Sequence, residues 1–338
     1  MIYDNYTKRL KNIVNESENK KNLSKGISDF EGSFGHVKNR FETIKDQRNF
    51  SASMQLNAQP LAHILHPDAL KDAKIGVHPD FRHLKGTNET ENHYIVSIFI
   101  DIHGSTNLFK KYELEENYSI TNTIQSAAIH TIVALGGHVQ RLQGDGVFAY
   151  FGGKNMLHKK AVELAVTACG MFTYFIQNDL KEVFTDGGVE DIKTRIGIDF
   201  GYDEHVLWAT FGLQDVIELT TLSLHTSLAS KMQSKAEKNG INVGQHIRDI
   251  LGGDDSLYSI ISEEERYIFR DPEKKFWYTQ YKFNWLRYLK SLPFIGTEAN
   301  GKLCLISNST NQSQPSIIIP KKDYAALAQI AAGNKPYS

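Results

Sequence analysis

Apolar and polar residues follow one another along this chain with periods that predict separate strands and helices. Residues 95–100 form an uncharged run rich in β-branched and aromatic side chains, which predicts a strand that is buried on both faces. Two shorter apolar runs, at residues 139–142 and 147–151, flank Gly144-Asp145-Gly146. They predict a tight hairpin, because glycine reaches the positive φ angles that such turns need.

Longer periodic segments surround these strands. Apolar stripes at helical spacing predict three helices, at residues 120–135, 161–175 and 222–236. Short apolar runs predict strands at residues 195–198 and 241–243. The pattern of residues 202–219 is poor, and we predict no element there. The central order is therefore strand, helix, hairpin, helix, strand.

The two ends of the chain differ from this centre. We expect an N-terminal extension over residues 1–90, a central domain over 91–250 and a C-terminal appendage with a tail over 251–338. In the extension, Tyr6, Leu10, Ile13 and Val14 keep helical spacing and predict a short amphipathic helix, followed by a linker.

A second extension segment, residues 60–85, predicts another helix and an ordered lead-in to the central domain. It contains four histidines without metal-ligand spacing, which we interpret as surface and capping residues: His63, His66, His78 and His83. The appendage is rich in aromatic residues and predicts a small β-rich element, and its tail from residue 307 resembles a linker until a predicted helix at 324–332.

Composition narrows the class of protein. The 338 residues, 41% hydrophobic and 23% charged, suffice for one large or two medium domains. Because 38 basic residues balance 39 acidic ones, we do not expect nucleic acid as a partner. Cys169 and Cys304 are too few for a disulfide framework, so we expect a cytoplasmic location. With no apolar run of about 18 residues and no apparent signal peptide, we expect no membrane association.

Two aspartates carry the strongest chemical signal. Asp101 follows the strand predicted at 95–100 and precedes Gly104-Ser105-Thr106, and Asp145 occupies the predicted hairpin tip. Taken singly, each also fits the role of a cap or an ordinary turn residue. If the two strands are neighbours, both carboxylates meet at one end of a sheet and form an all-oxygen site suited to Mg²⁺ or Mn²⁺. The Gly-Ser-Thr segment then offers backbone N–H groups to a phosphate.

Three motifs in this order resemble the core of class III nucleotidyl cyclases. They are the segments at residues 99–106, 141–152 and 195–201, within a resemblance that covers roughly residues 94–243. The resemblance implies an α+β fold, a ferredoxin-like palm with an antiparallel sheet and helices, which cyclises a nucleoside triphosphate as a homodimer. By this resemblance, Asp101 and Asp145 hold two divalent metal ions, Mn²⁺ or Mg²⁺, and the backbone carbonyl of Ile102 completes the metal site.

The chain departs from the family pattern at the substrate-binding positions. Arg141 and Thr220 stand where adenylate cyclases have the Lys and Asp that read adenine, and guanylate cyclases use Glu and Cys there. Ser227 aligns with an Asn that orients the ribose, and Lys231 with an Arg that binds the triphosphate, so its charge is kept but its bidentate fork is lost. Phe99 matches a position that packs against the base.

A chain without the purine-reading pair, with His78-Pro-Asp-Phe81 before its first strand, is similar to the bacterial pyrimidine cyclases of Pycsar antiphage defence. Those enzymes make cyclic UMP or cyclic CMP after phage infection. Arg141 only donates hydrogen bonds and both pyrimidines present an O2 acceptor, so the choice between UTP and CTP stays open, with UTP as our first expectation. We expect no direct contact between the cyclase and the downstream effector of its product.

The resemblance also implies a mechanism, in which the ribose 3′-oxygen attacks the α-phosphate in line and pyrophosphate leaves. Arg141, Thr220, Ser227 and Lys231 are then expected to reach the site from the subunit opposite the one that supplies the aspartates. Two other functions remain open: a purine cyclase with unusual base readers, and an inactive palm that only binds nucleotide. The presence of both aspartates argues against the inactive palm, because paired buried carboxylates are costly to desolvate.

Overall fold

The computed structural model describes residues 3, 7, 8, 10–12, 73–181, 192–261, 269–271 and 276–306. All of them except Ile306 belong to one compact unit, Met1–Leu305. The elements predicted at residues 324–332 and before residue 73 therefore lie wholly or largely outside the described residues. Residues 7, 8 and 10–12 are helical, where the first amphipathic helix is predicted.

A seven-stranded sheet forms the centre of the molecule. In spatial order its strands are β3 (His138–Gln143), β4 (Gly146–Phe151), β2 (Ile95–His103), β5 (Lys193–Gly201), β8 (Gly240–Gly244), β12 (Gln280–Phe283) and β9 (Tyr258–Ile260). Neighbouring strands run antiparallel except for β5 and β8, which are parallel. Strands β9 and β12 come from the predicted appendage, so its residues extend the sheet of the central domain.

Besides the helical residues near the N-terminus, five α-helices accompany this sheet in the described part of the chain. They are α1 (Leu114–Ala134), α2 (His158–Tyr174), α3 (Leu224–Lys235), α4 (Gln245–Leu251) and α5 (Trp285–Ser291). A π-helical segment, Phe175–Leu180, directly continues α2. The mixture of helices with a mainly antiparallel sheet confirms the predicted α+β fold and the three predicted helices.

Both faces of β2 are buried, as its uncharged sequence predicts. Val96 and Ile98 lie on one face in the larger core, together with α1 and α2. Ile95 lies on the other face, in a smaller cluster that includes Trp208. Phe99 packs against this cluster. Because burying apolar side chains is the main stabilising contribution to folding, this double burial makes β2 a rigid support for the aspartate near its end.

Glycine conformations explain two of the predicted boundaries. Gly136 follows α1 with φ 83°, and Gly144 takes φ 59° in the turn between β3 and β4. Residues with a side chain rarely adopt such angles, so each glycine ends one element where the chain must reverse. The predicted hairpin around Asp145 is thereby confirmed.

The segment in which no element was predicted forms a second hairpin, which corrects the sequence interpretation. It consists of β6 (Val206–Leu213) and β7 (Val216–Ser223), and β1 (Thr90–Asn92) pairs with β6 to complete a three-stranded sheet. Leu213, Val216 and Leu222 are exposed apolar residues of this sheet. They obscure the alternation of apolar and polar positions that marks a strand with one face in water.

The remaining described elements are short. Strands β10 (Phe269–Asp271) and β11 (Phe276–Tyr278) form one pair, and β13 (Ile295–Thr297) and β14 (Leu303–Leu305) form another. A 3-10 helix, Pro79–Leu84, begins after His78, whose ring accepts a hydrogen bond from the Asp80 backbone. His78 is thus a capping residue and His83 a surface residue, as predicted, whereas His63 and His66 lie outside the described residues.

Candidate active site

The structure brings Asp101 and Asp145 together at one end of the central sheet. Asp101 lies near the end of β2, and Asp145 lies in the turn that joins β3 to β4. The Ile102 backbone N–H donates to Asp145 Oδ2 at 3.2 Å. A Cβ atom on Gly146 would lie 3.9 Å from Asp101 Oδ1, so the turn approaches the first carboxylate closely. The two residues predicted as metal ligands therefore share one site.

Electrostatics at this site favours a bound cation. The pKa of the Asp145 carboxyl lies above its ordinary value. Burial is the larger cause, and the negative charge of Asp101 is the second. Hydrogen bonds from the Ser105 side chain and the Ile102 backbone oppose this rise. Two neighbouring carboxylates that repel each other are hard oxygen ligands, and a divalent cation relieves their repulsion. The residues present thus fit Mg²⁺ or Mn²⁺.

Two side chains that the sequence analysis did not single out contact Asp101. Arg195 stands directly opposite Asp101 in the register of β2 and β5, and its Nη2 lies 2.6 Å from Asp101 Oδ2. Gln233 of α3 donates from Nε2 to the same oxygen at 3.2 Å. These donors hold one carboxylate oxygen of Asp101. Arg195 lies inside the third sequence motif, but only strand register shows what it touches.

The segment predicted to bind phosphate begins directly after β2. Gly104 adopts φ 72° and precedes a 3-10 helix, Ser105–Lys110, which includes Thr106. The Ser105 side chain hydrogen-bonds Asp145, so this segment lies next to the proposed metal ligands. That Gly104, Ser105 and Thr106 bind the triphosphate stays a prediction.

The residues predicted to contact the base lie on three strands: Phe99 on β2, Arg141 on β3 and Thr220 on β7. Phe99 stacks on Phe148, with ring centroids 4.3 Å apart and planes 8° from parallel. Arg141 Nε donates to Glu218 Oε1 at 3.0 Å, and Nη2 bonds the other carboxylate oxygen. Gln140 Nε2 also donates to Glu218 Oε1, at 3.2 Å. The sequence did not indicate Glu218, because this residue lies in the segment 202–219, for which no element was predicted.

A chain of hydroxyl groups surrounds Thr220. The Tyr150 hydroxyl lies 3.1 Å from Thr220 Oγ1 and 2.9 Å from Thr221 Oγ1. Thr221 in turn meets Thr226 at 3.1 Å, and Thr226 meets Ser97 at 2.8 Å. Thr220 is therefore held in a polar network that connects β7 to β2 and α3.

Ser227 and Lys231 both lie on α3, as predicted. Ser227 Oγ donates to the Ser223 backbone carbonyl at 3.2 Å, one helical turn earlier. The Lys231 carbonyl accepts from Ser234 Oγ at 2.8 Å. The same helix carries Gln233 to Asp101 within one chain. The predicted roles of Ser227 and Lys231 toward substrate, and their supply by a second subunit, stay predictions.

The sheet order and the paired aspartates define a class of protein. Residues 88–278 match the family described as the adenylate and guanylate cyclase catalytic domain, and the chain belongs to that family.

Its relatives include proteins with a pyrimidine product in their names. The chain is 40% identical over 235 residues to a cytidylate cyclase of Staphylococcus aureus, a match that covers 66% of this chain and 55% of that protein. It is 35% identical over 280 residues to a cytidylate cyclase of Escherichia coli, which covers 80% of this chain and 60% of that protein. The chain thus spans little more than half the length of these relatives.

Among solved structures, the adenylyl cyclase CyaB from P. aeruginosa aligns with 58% of this chain and 95% of its own, at TM-score 0.48 and 19% identity. Within the part of the chain that the structure describes, no helix is both long enough and apolar enough to cross a membrane.

Proposed function

We propose that this chain is a pyrimidine nucleotide cyclase, which converts CTP, or less efficiently UTP, into the 3′,5′-cyclic monophosphate and pyrophosphate. The approach of Asp145 to Asp101 carries the assignment of the chemistry, because it creates a paired-carboxylate site at the end of the sheet. The likeness to cytidylate cyclases supports a pyrimidine base and favours cytosine over the uracil that the sequence alone first suggested.

Asp101, Asp145 and the Ile102 carbonyl would hold two divalent ions, Mg²⁺ or Mn²⁺. When bound, these would supply positive charge that lowers the pKa of the ribose 3′-hydroxyl and neutralises the triphosphate. Arg195 and Gln233 fix Asp101 Oδ2 and so restrict the rotation of this carboxylate. Ser105 fixes Asp145 in the same way. Such positioning matters because catalytic groups must be held in the productive geometry before the substrate reacts.

The reaction is an in-line displacement at the α-phosphate. The 3′-oxygen forms the new P–O bond, its proton passes to solvent, and the bond to the β-phosphate oxygen breaks as pyrophosphate leaves. Gly104, Ser105 and Thr106 bind the triphosphate from the subunit that supplies the aspartates. Lys231 of the opposite subunit neutralises charge on the phosphates in the transition state, and Ser227 orients the ribose.

A homodimer with two such composite sites follows from this division of roles. The hairpin of β6 and β7, which carries Thr220, exposes apolar side chains, including Leu213, 75% exposed, and Val216, 82% exposed. Exposed apolar residues at the tip of a hairpin favour contact with another protein surface. A second copy of the chain is the partner that completes the proposed site.

The pair of Arg141 and Glu218 supports recognition of cytosine. An arginine only donates hydrogen bonds and an ionised glutamate only accepts them. Glu218 can accept from the exocyclic amino group of cytosine, a contact that carboxylates make with this base in nucleic acids, whereas uracil has a carbonyl oxygen in that position. Arg141 then donates to a base acceptor. The pair is partly exposed, so the base can separate it at little cost.

The decisive experiment incubates the purified chain with each of the four nucleoside triphosphates and Mn²⁺, and identifies the products by mass spectrometry. We expect cyclic CMP to form fastest and cyclic UMP next. Faster formation of cyclic AMP or cyclic GMP at equal substrate concentration would overturn the pyrimidine assignment, and absence of any cyclic product would support the inactive palm.

We also propose, from the resemblance to Pycsar cyclases, that the product is a cytoplasmic messenger in antiphage defence, read by a separate effector. Bacteria that express the wild-type chain together with the effector should then survive phage challenge better than bacteria that express Asp101→Asn with it. Equal survival of the two strains would reject this role without affecting the enzymatic assignment.

A further inference from the structure

Three histidines converge at the end of β5 that lies away from the paired aspartates. His205 precedes β6, His225 lies in the first turn of α3 and His246 lies in the first turn of α4. Each offers a ring nitrogen, and these three atoms all lie within 4.8 Å of one another. Three imidazoles at such separations are a ligand set typical of zinc.

Hydrogen bonds fix the ring orientation of two of these histidines. His225 Nδ1 lies 3.0 Å from Asp199 Oδ2, and His246 Nδ1 lies 2.9 Å from the Phe200 carbonyl oxygen. A backbone carbonyl oxygen only accepts, so Nδ1 of His246 carries the proton, and Nδ1 of His225 is placed to donate to the Asp199 carboxylate in the same way. The lone pair of the neutral ring is then on Nε2, which is the atom left to bind a metal. Carboxylate and carbonyl partners of this kind orient the histidine ligands of metal sites.

Asp199 itself is fully buried and well supported. Its Oδ1 accepts a hydrogen bond from the Phe200 backbone N–H at 2.9 Å, and the Tyr278 hydroxyl donates to the same oxygen. Such a carboxylate can orient His225 without moving. The Tyr278 ring also packs against the rings of His225 and His246, with centroids 5.1 and 5.0 Å away.

The three histidines differ in how far they are exposed to solvent. This difference decides whether a bound ion keeps a coordination position open to water. His225 is buried and His246 is half-buried, whereas His205 is exposed. Burial is the main reason why the pKa of His246 lies below its ordinary value. With two inner ligands and one outer one, an ion would retain a coordination position open to water.

We propose that His205, His225 and His246 bind one divalent transition-metal ion of the zinc class, with Asp199 orienting His225. This site is separate from the two-metal cyclase site, because Asp199 lies four residues along β5 from Arg195, which is about 13 Å in an extended strand. Its imidazole ligands prefer zinc to Mg²⁺, whereas the paired aspartates prefer the hard Mg²⁺ or Mn²⁺ ions.

The ion would connect the β6–β7 hairpin, α3 and α4, and the first two of these carry residues of the proposed reaction. His205 lies at the base of the hairpin that bears Glu218 and Thr220, and His225 begins the helix that bears Ser227. Binding therefore stabilises the base-reading hairpin and α3 relative to the sheet. An ion that binds only the folded chain must raise its melting temperature.

The test measures zinc binding to the full, metal-stripped chain by competition with a chromophoric zinc indicator, in excess Mg²⁺. We expect one tightly bound Zn²⁺ per chain and a higher melting temperature with zinc. His205→Ala, at an exposed position that need not disturb the fold, should weaken zinc binding by roughly tenfold or more and abolish the zinc-dependent rise in melting temperature. Asp199→Asn should weaken binding by about 10–100-fold, as loss of such a supporting carboxylate does.

Two controls distinguish binding at the three histidines from binding at a surface histidine or at the paired aspartates. His83→Ala removes an exposed histidine outside the cluster and should bind zinc as the wild type does. The double variant Asp101→Asn, Asp145→Asn should also retain its zinc, whatever its cyclase activity. Unchanged binding in His205→Ala, loss of zinc in the double variant, or absence of tight binding in the wild type would each overturn the proposal.

Cobalt provides an independent readout of geometry. Co²⁺ bound by three imidazoles in place of zinc should give the visible absorption of a four- or five-coordinate ion. That absorption should be present in His83→Ala and weaker or absent in His205→Ala at the same cobalt concentration. An octahedral spectrum, the same in both variants, would contradict the proposed ligands.

Discussion

Arg141 of β3 is paired with Glu218 of β7 through both carboxylate oxygens, with Arg141 Nε 3.0 Å from Glu218 Oε1. The two residues lie 77 positions apart in sequence. A side chain that only donates hydrogen bonds thus lies beside one that only accepts them. Arg141 is itself predicted to read the base, so Glu218 lies next to a predicted base-reading residue. The proposed preference for CTP rests on the acceptor, so it can be tested by changing that residue alone.

Glu218→Gln should reduce discrimination between CTP and UTP. Glutamine can present either an acceptor or a donor to position 4 of the base, so the advantage of cytosine is lost. One mismatched hydrogen bond costs about 1–3 kcal/mol, which corresponds to roughly 5- to 150-fold in the ratio of kcat/KM values. Steady-state kinetics with both substrates measures this ratio. The control variant Glu91→Gln, which removes a different ion-paired glutamate, should leave the ratio unchanged. If Glu218→Gln also leaves the ratio unaltered, Glu218 does not read the base.

Asp101→Asn and Asp145→Asn should each abolish product formation while the chain remains folded. Removing one hard-oxygen ligand from a two-metal site typically costs several kcal/mol of transition-state stabilisation. Activity and melting temperature are measured on the same preparations, with Asp255→Asn, at an exposed ion-paired position, as the control. Substantial turnover by either variant would contradict the metal assignment, and a large loss of stability would identify the aspartate as a structural cap instead.

Arg195→Gln should change the response of the chain to Mn²⁺. The guanidinium compensates the negative charge of Asp101 in the absence of metal, so its loss should lower the melting temperature of the metal-free chain. It also removes a positive charge beside the proposed cation site, so the rise in melting temperature on adding Mn²⁺ should be larger than in the wild type. Arg287→Gln removes an exposed ion pair and should change neither value appreciably. An equal Mn²⁺ effect in wild type and Arg195→Gln would show that Arg195 and the metal do not share Asp101.

The contribution of Asp145 to stability should depend on pH with a defined sign. Its pKa in the folded chain lies above the ordinary value of 3.8, so in the acidic range the folded state binds more protons than the unfolded state. The stabilising effect of the protonated carboxyl is complete below the unfolded pKa and is lost as pH rises through the folded pKa. The free energy of unfolding of wild type relative to Asp145→Asn should therefore fall across this range in metal-free buffer. Denaturant titrations of both proteins measure the difference, and a rise with pH would contradict a raised pKa of Asp145 in the folded chain.

Mixing two inactive variants tests the composite site. Asp101→Asn and Lys231→Ala are each expected to be inactive as homodimers, because every site lacks one essential group. After subunit exchange, one of the two sites in a mixed dimer is intact, so activity should return, up to about a quarter of the wild-type value for random exchange. Mass spectrometry of isotopically labelled subunits verifies the exchange. If the subunits exchange and activity does not return, Asp101 and Lys231 act within one chain.

The surroundings of Asp101 show which features the sequence alone predicts and which it does not. That an aspartate follows a buried strand, and that another occupies a glycine hairpin, are local facts that residues 95–101 and 144–146 display directly. The partner of Asp101 is not local: Arg195 stands opposite it because β5 pairs with β2 in one register. A shift of that register by one residue would move the arginine to the other face of the sheet.

The hairpin of β6 and β7 shows where sequence patterning failed. Its exposed apolar residues hide the alternation that predicts a strand, and the loss of this element also hid Glu218 and His205. The sequence by itself determined the buried strands of the centre, the three long helices and the two acidic positions, since these depend on periodicity and on the conformation of nearby glycines. Only the tertiary structure decided which side chains meet Asp101, Arg141 and His225, because those contacts join residues that are distant along the chain and adjacent only after the sheet has formed.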